Sequence, residues 1–241
     1  MDIHKPKPWH GWREFLKEYL IIVVGVLTAL GAEQVVAKAR DAQLAQETRA
    51  TARAELKGTF AAFANRRATQ TCIDRRLDEV ARLLAASERP DYRPPTWIGR
   101  PQEAVYSSAS WDAAAQGGRV ALLSQNEQAA FGKVCSGLHD LAGLQRDEQK
   151  AWADIRQLED QPHLDPQMRA SVRSALQQAR LANWNVRVDF EQSAVMAERL
   201  GVATKGLHPG GSPSICLPTN TPREKAVAQV NAFFKDNLGE P

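Results

Sequence analysis

Three cysteines, Cys72, Cys135 and Cys216, and five histidines, His4, His10, His139, His163 and His208, are the side chains of this chain best suited to redox, nucleophilic or metal chemistry. Their spacing supports little of it. The cysteines lie far apart with no Cys-x-x-Cys pair, and the histidines show no i, i+4 pairing and no His-Glu-x-x-His pattern, so zinc ligation and thioredoxin-like exchange have no handle. The Gly-rich stretch His208-Pro-Gly-Gly-Ser-Pro-Ser lacks the Lys-Ser/Thr arrangement of a phosphate cradle and reads as a turn. No Gly-x-Ser-x-Gly elbow occurs. Carboxylates are abundant but sit among Arg and Lys on helices, where solvated ion-pair faces are the default. Asn183 and Gln145 interrupt apolar stripes and are expected to fix register rather than bind ligands. The expectation is therefore a protein with no metal, no cofactor and no catalytic constellation.

The same residues suggest a covalent link instead. Cys135 falls in an apolar stripe between Phe131 and Leu138 and is expected to be a small buried hydrophobe with a free thiol. Cys72 lies at the polar edge of its helix beside Ile73, and Cys216 lies in a loop that must pass over the other helices to reach the last one. A Cys72–Cys216 disulfide follows, worth about 4–5 kcal/mol in the chain-entropy account. The alternative is three reduced cysteines, and the compartment decides between them.

Compartment is set by Tyr19–Ala32, the uncharged run Tyr-Leu-Ile-Ile-Val-Val-Gly-Val-Leu-Thr-Ala-Leu-Gly-Ala. As a helix it rises only about 21 Å, short of the ~30 Å hydrocarbon core. The deficit closes if Lys17 and Glu18 snorkel at one interface and Val35 and Val36 extend the other end, giving a transmembrane helix over 19–36. Ahead of it, residues 1–18 mix Lys5, Lys7, Arg13 and Lys17 with Trp9, Trp12 and Phe15, and the rings fall on one helical face that continues to Tyr19. Such a basic, aromatic lead belongs at the headgroup level, and its charge places the N-terminus in the cytoplasm. A cleavable signal peptide is the competing reading, with cut sites near Ala29-Leu30-Gly31 or Leu30-Gly31-Ala32; the charged Lys17-Glu18 pair and the Trp-rich flank favour the anchor. A buried soluble helix would waste those flanks. Gly25 and Ala29 form a small-xxx-small pair through which two anchors can self-associate.

Lys17–Gln34, with its Val/Ile-rich stretch, central Gly and Val-Leu-x-Ala-Leu exit, resembles the N-terminal signature of a group of uncharacterised bacterial single-span membrane proteins with a helical extracytoplasmic domain. Ser-Trp-Asp-Ala-Ala at Ser110–Ala114, with the Gly pair after it, is similar to that group as well. The resemblance implies topology, a bacterial inner-membrane location and no activity.

The remainder, 37–241, reads as an extracytoplasmic helical bundle, all-α, in which the anchor continues into antiparallel helices and ends in a short C-terminal one. With 241 residues the chain holds one domain of good size plus an anchor. A net charge of +3, with basic and acidic residues interleaved, gives no nucleic-acid face. No Pro interrupts Glu33–Ser87, so one long helix over about 37–88 is expected, stalk first and then a packed face through Leu56, Phe60, Phe63, Ile73, Leu77, Val80 and Leu84. A Pro-rich loop follows over Arg89–Pro101. Pro101–Gly118 predicts short helix over 102–117 anchored by Tyr106 and Trp111. Ser124-Gln-Asn-Glu127 is a capping box that opens a helix over 125–159 with a heptad-like stripe, and Asp165-Pro166 opens another over 166–200. These two must form an antiparallel hairpin, because a short connection joins two long helices. Thr221-Pro222 opens the last helix, 222–238, whose Val227, Val230, Phe233 and Phe234 need a groove. Trp184, between Asn183 and Asn185, is the aromatic expected at the surface.

The function expected is that of a membrane-anchored envelope module that binds a protein partner or scaffolds. The alternative is a ligand-sensing ectodomain that relays through a membrane partner.

Overall fold

A computed structural model describes residues 11–205 and 213–238. The described chain is all-α, with a long first helix, a helical bundle and a short last helix. It divides into two units, Met1–Glu47 and Thr48–Pro241. Helix α1, Gly11–Ala68, belongs to both.

In the first unit α1 is a single helix whose side chains stand almost entirely in the open. Trp12, Phe15 and Tyr19 lie along one face, with ring centroids 5.9 Å and 6.2 Å apart, as their spacing requires. Trp9 lies outside the described residues.

In the second unit the packed face of α1 does not run unbroken to residue 88. It stops at Ala68, and α2, Gln70–Ala86, begins with only Thr69 between them. The break is a correction to the single helix expected over 37–88, and Thr69 accounts for it. Its hydroxyl bonds back to the carbonyl of Arg66 at 3.0 Å and its backbone sits at φ −95°, ψ 1°, outside the helical well. Back-bonding of this kind bends helices, and no Gly or Pro is needed.

The Pro-rich segment after α2 is longer than expected. Only Ala109–Gln116 is helical (α3), so the helix expected over 102–117 is corrected to its second half, and residues 101–108 are irregular. Ala104, Trp111 and the half-buried Tyr106 still anchor the segment, with Trp111 stacked on Phe131 at 5.2 Å and Tyr106 against Phe63 at 5.3 Å. The 97–124 segment thus returns along the bundle as a partly extended fourth layer. This return is why α4, Gln125–Ile155, runs parallel to the α1–α2 column: Arg49 meets Glu127, and Arg66 meets Glu148.

Helix α4 opens on the capping box, with both reciprocal Ser124–Glu127 bonds formed. It closes through a 3₁₀ turn, Arg156–Leu158. Asp165 caps α5, Pro166–Arg199, by accepting from the Met168 N–H at 2.7 Å. Together α4 and α5 form the most extensive helix pair, the antiparallel hairpin. Gly137 and Ser193 meet closely across it, since a Cβ at Gly137 would lie 2.9 Å from the Ser193 hydroxyl. α5 runs antiparallel to the α1–α2 column. The register is marked by Glu88–Arg169, Asp78–Arg180, Asp74–Asn183 and Arg67–Glu191.

Buried apolar side chains line these columns. Phe63 stacks on Phe190 at 4.2 Å, and Ile73, Leu77, Val80, Ile98, Trp152, Ile155, Val172 and Leu176 form one buried cluster. Helix α6, Arg223–Leu238, docks through Ala226 and packs against the 3₁₀ turn Pro213–Cys216. Val227 stays 44% exposed, so α6 does not fill a groove along its whole apolar face. The Phe234 side chain and His4, His10 and His208 lie outside the described residues.

Candidate functional site

Four places hold the chemistry-bearing side chains. The first is the outer surface of α1. Leu20, Ile21, Ile22, Val24, Val26, Leu27 and Leu30 are each more than half exposed, and they point to all sides of the helix. Gly25 and Ala29 are exposed beside them, with open space around Gly25. Thr28, the one hydroxyl group within Leu20–Ala32, donates to the Val24 carbonyl at 2.7 Å, so its polar group is satisfied inside the helix. Among the described residues one helix, near the N-terminus, is therefore long and apolar enough to cross a membrane.

The second is the start of α3, where hydroxyl, carboxylate and imidazole groups meet. Ser108 Oγ donates to Asp112 Oδ2 at 2.9 Å and lies 3.1 Å from His139 Nε2. Asp112 Oδ2 faces that same nitrogen at 3.8 Å. In a Ser-His-Asp relay the carboxylate holds Nδ1 and leaves Nε2 to the serine. Here both groups address Nε2, and the serine proton is already given to the carboxylate, so the arrangement is a polar clip between α3 and α4. Glu55 of α1 completes it by accepting from the Ser107 hydroxyl and from the Ser110 N–H, the latter at 2.9 Å. The Ser110 amide in the first turn of α3 is thus capped from another helix rather than by Ser108. Cys135 is buried nearby and free, its thiol pushed up to about 12 by burial and by the carboxylates of Asp112 and Glu55. It stays protonated and is no nucleophile.

The third is a buried ionic node that sequence reasoning missed. Arg66, 3% exposed, makes a bidentate pair with Glu148, 0% exposed, through two 2.6 Å bonds. Arg66 Nη2 also reaches Asn183 Oδ1 at 3.1 Å, and Asn183 accepts from Gln70 and donates to Asp74. Gln145 belongs to the same layer: with its amide oriented to suit its neighbours, it donates to the Tyr106 hydroxyl at 2.9 Å and exchanges bonds with the Ala104 backbone. Burial raises the Tyr106 phenol well above its ordinary range. Asn183 thus links two charged side chains, Arg66 and Asp74, whereas Gln145 holds a neutral hydroxyl and a backbone strip. The available signal was Glu148 itself, which continues the stripe Leu141, Gln145, Trp152 at three- and four-residue steps.

The fourth lies at the far end of the bundle. Cys72 and Cys216 form a disulfide across 144 residues. Beside it the Arg76 guanidinium, 1% exposed, donates to the carbonyls of Trp97, Ile98 and Leu217 and to Glu79, and burial lowers its pKa. Glu159 gathers the Ile98 N–H, Arg156 and Arg223. Gly99 adopts φ +70°, and a Cβ there would sit 2.5 Å from the Ser214 carbonyl oxygen, so only glycine lets the two segments touch.

A crevice of about 370 Å³ runs between α4 and α5, lined by Lys133, Gly137, Asp140, Asp189, Ser193 and Met196. It is partly open and lined by both polar and apolar groups, unlike the enclosed sites that hold small ligands. On the outer face of α5, Leu181, Trp184 and Val195 are each more than half exposed, at 61%, 54% and 51%. Among the described residues no three His, Cys, Asp or Glu side chains converge as a metal site.

No protein-family model, no curated protein and no solved structure matches this chain.

Proposed function

We propose that the chain is a single-pass protein of the bacterial inner membrane, with its N-terminus in the cytoplasm and its helical bundle on the extracytoplasmic side. There it binds a protein partner of the envelope. The observation that carries the reading is the all-round exposure of large apolar side chains between Leu20 and Leu30. A helix apolar on every side needs lipid or a protein interior around it, and in this structure the residues of that stretch are uncovered. Lys5, Lys7, Arg13 and Lys17 ahead of the span support the orientation through the positive-inside rule. The Cys72–Cys216 bond supports an oxidising compartment for the bundle. Leu181, Trp184 and Val195 on one helix are the kind of exposed aromatic and aliphatic set from which interface anchors are drawn.

Two measurements test it. The protein should resist alkaline extraction from membranes, and a reporter active only after export should be active when fused at the C-terminus. A soluble mature protein starting after residue 31 or 32 would refute the anchor while leaving export intact. A photo-crosslinker at Trp184 should capture one discrete partner in intact membranes; no adduct from positions 181, 184 or 195 would refute the interaction reading.

A further inference from the structure

We propose that the Cys72–Cys216 disulfide is a reducible clasp that holds the C-terminal arm, the strap Ser214–Thr221 together with α6, against α2, and that a dithiol reductant opens it. The strap is weakly invested in the core. Ile215, 1% exposed, is its one fully buried apolar side chain among the α2, α4 and α5 hydrophobes, with Cys216 packed at their edge and Thr221 buried at the strap's end. Its other holds are hydrogen bonds at its carbonyls. Ser214 accepts from Trp97 Nε1 at 2.8 Å, Cys216 from Arg75 at 3.2 Å, Leu217 from Arg76, Thr219 from the Thr96 and Trp97 amides at 3.0 Å each, and Thr221 from the Thr96 hydroxyl at 2.8 Å.

Helix α6 rests on that strap. Its main packing is with Pro213–Cys216, and Arg223, which begins it, adds ion pairs to Glu159 and Asp160. The arm is thus a separable layer whose position depends on two buried side chains, Ile215 and Ala226, a seam of carbonyl hydrogen bonds and one covalent bond. While the bond is intact, a strap that lifts off stays tethered beside its site and recloses at high effective concentration. Once the bond is cut, reclosure depends on chain from α5 alone, and the open population rises.

The cysteines are placed for such chemistry. Both are half-buried rather than sealed in the core. A thiolate of the reductant attacks one sulfur and forms a mixed disulfide while the other cysteine leaves as a thiolate. The second thiol of the reductant then displaces the bound cysteine, so two electrons and two protons pass to the protein and the reductant ends as its own disulfide. Cys135 cannot interfere. By the Arg66–Glu148 register it lies about nineteen residues, or about 28 Å, along the bundle from Cys72.

Hydrogen exchange on the full chain in detergent micelles, with and without dithiothreitol, tests the proposal, with alkylation confirming that Cys72 and Cys216 have been reduced. Backbone exchange over residues 214–238 should accelerate at least tenfold on reduction, exchange in the α4–α5 hairpin should stay unchanged, and reoxidation should restore the arm. The C72S/C216S variant should match the reduced protein. Unchanged exchange in the arm after verified reduction would overturn the proposal. So would loss of protection in the arm and the hairpin together, which would make the bond a staple of the whole fold.

Discussion

Replacing Glu148 by Gln tests the ionic node most sharply. The substitution keeps shape and removes charge, so the Arg66 guanidinium, 3% exposed, is left facing a neutral amide and the Asn183 oxygen. Removing one member of a buried pair costs about 3–5 kcal/mol, because the survivor keeps its desolvation penalty and loses its compensation. For a domain of this size that corresponds to a fall in Tm of about 6–20 °C. Removing both charges should behave differently. In R66M/E148L no uncompensated ion remains, and Asn183 keeps Gln70 and Asp74 as partners. Its stability should lie within about 1 kcal/mol of the parent or above it. The assay is urea unfolding of the full chain in detergent, followed by helical circular dichroism and by tryptophan fluorescence, to which the buried Trp152 contributes, and the coincidence of the two checks two-state behaviour. An E148Q cost below about 1 kcal/mol, or a double variant as unstable as the sum of its single changes, would refute the argument that the desolvated charge dominates.

At the start of α4, Ser124→Ala should lose about 1 kcal/mol in the same unfolding assay, because the Glu127 amide loses its cap. Glu127 itself is held down to about 2 by hydrogen bonds from the Arg49 guanidinium and the Ser124 hydroxyl. A carboxylate depressed in the folded state stabilises above its unfolded value and loses that contribution as pH falls through the folded one. Stability measured from pH 6 to pH 2 should therefore decline on the acid side, and E127Q should flatten that decline. Gly99→Ala should cost at least about 1–3 kcal/mol, since φ is positive and the new methyl meets a backbone carbonyl; wild-type unfolding curves would contradict this. Phe63→Ala should cost about 3–5 kcal/mol in Tm-matched unfolding through its lost stack on Phe190 and contact with Tyr106, and a loss under 1 kcal/mol would mean that the core relaxes around it.

Much of the architecture is legible in local patterns. The Ser124–Glu127 box, Asp165-Pro166 and the stripes of α4 and α5 place that hairpin because capping and periodicity are short-range properties, set within a few residues. The apolar run from Tyr19 is equally local, and so is the aromatic face ahead of it. The pairing of Cys72 with Cys216 could be reasoned from which cysteine fell in an apolar stripe and which did not.

What only the tertiary structure decides is long-range. Thr69 breaks a helix that no Pro or Gly marks, and Glu55 caps a helix it does not belong to. The 97–124 segment returns as a largely non-helical layer and so turns α4 parallel to α1. Above all, Arg66, Arg76 and Glu148 are buried, though sequence alone gives charged residues on polar helices to solvent. A charge enters a core only when its partner is delivered at hydrogen-bond distance from another element, and that delivery is a property of the packed helices rather than of any one stretch of chain.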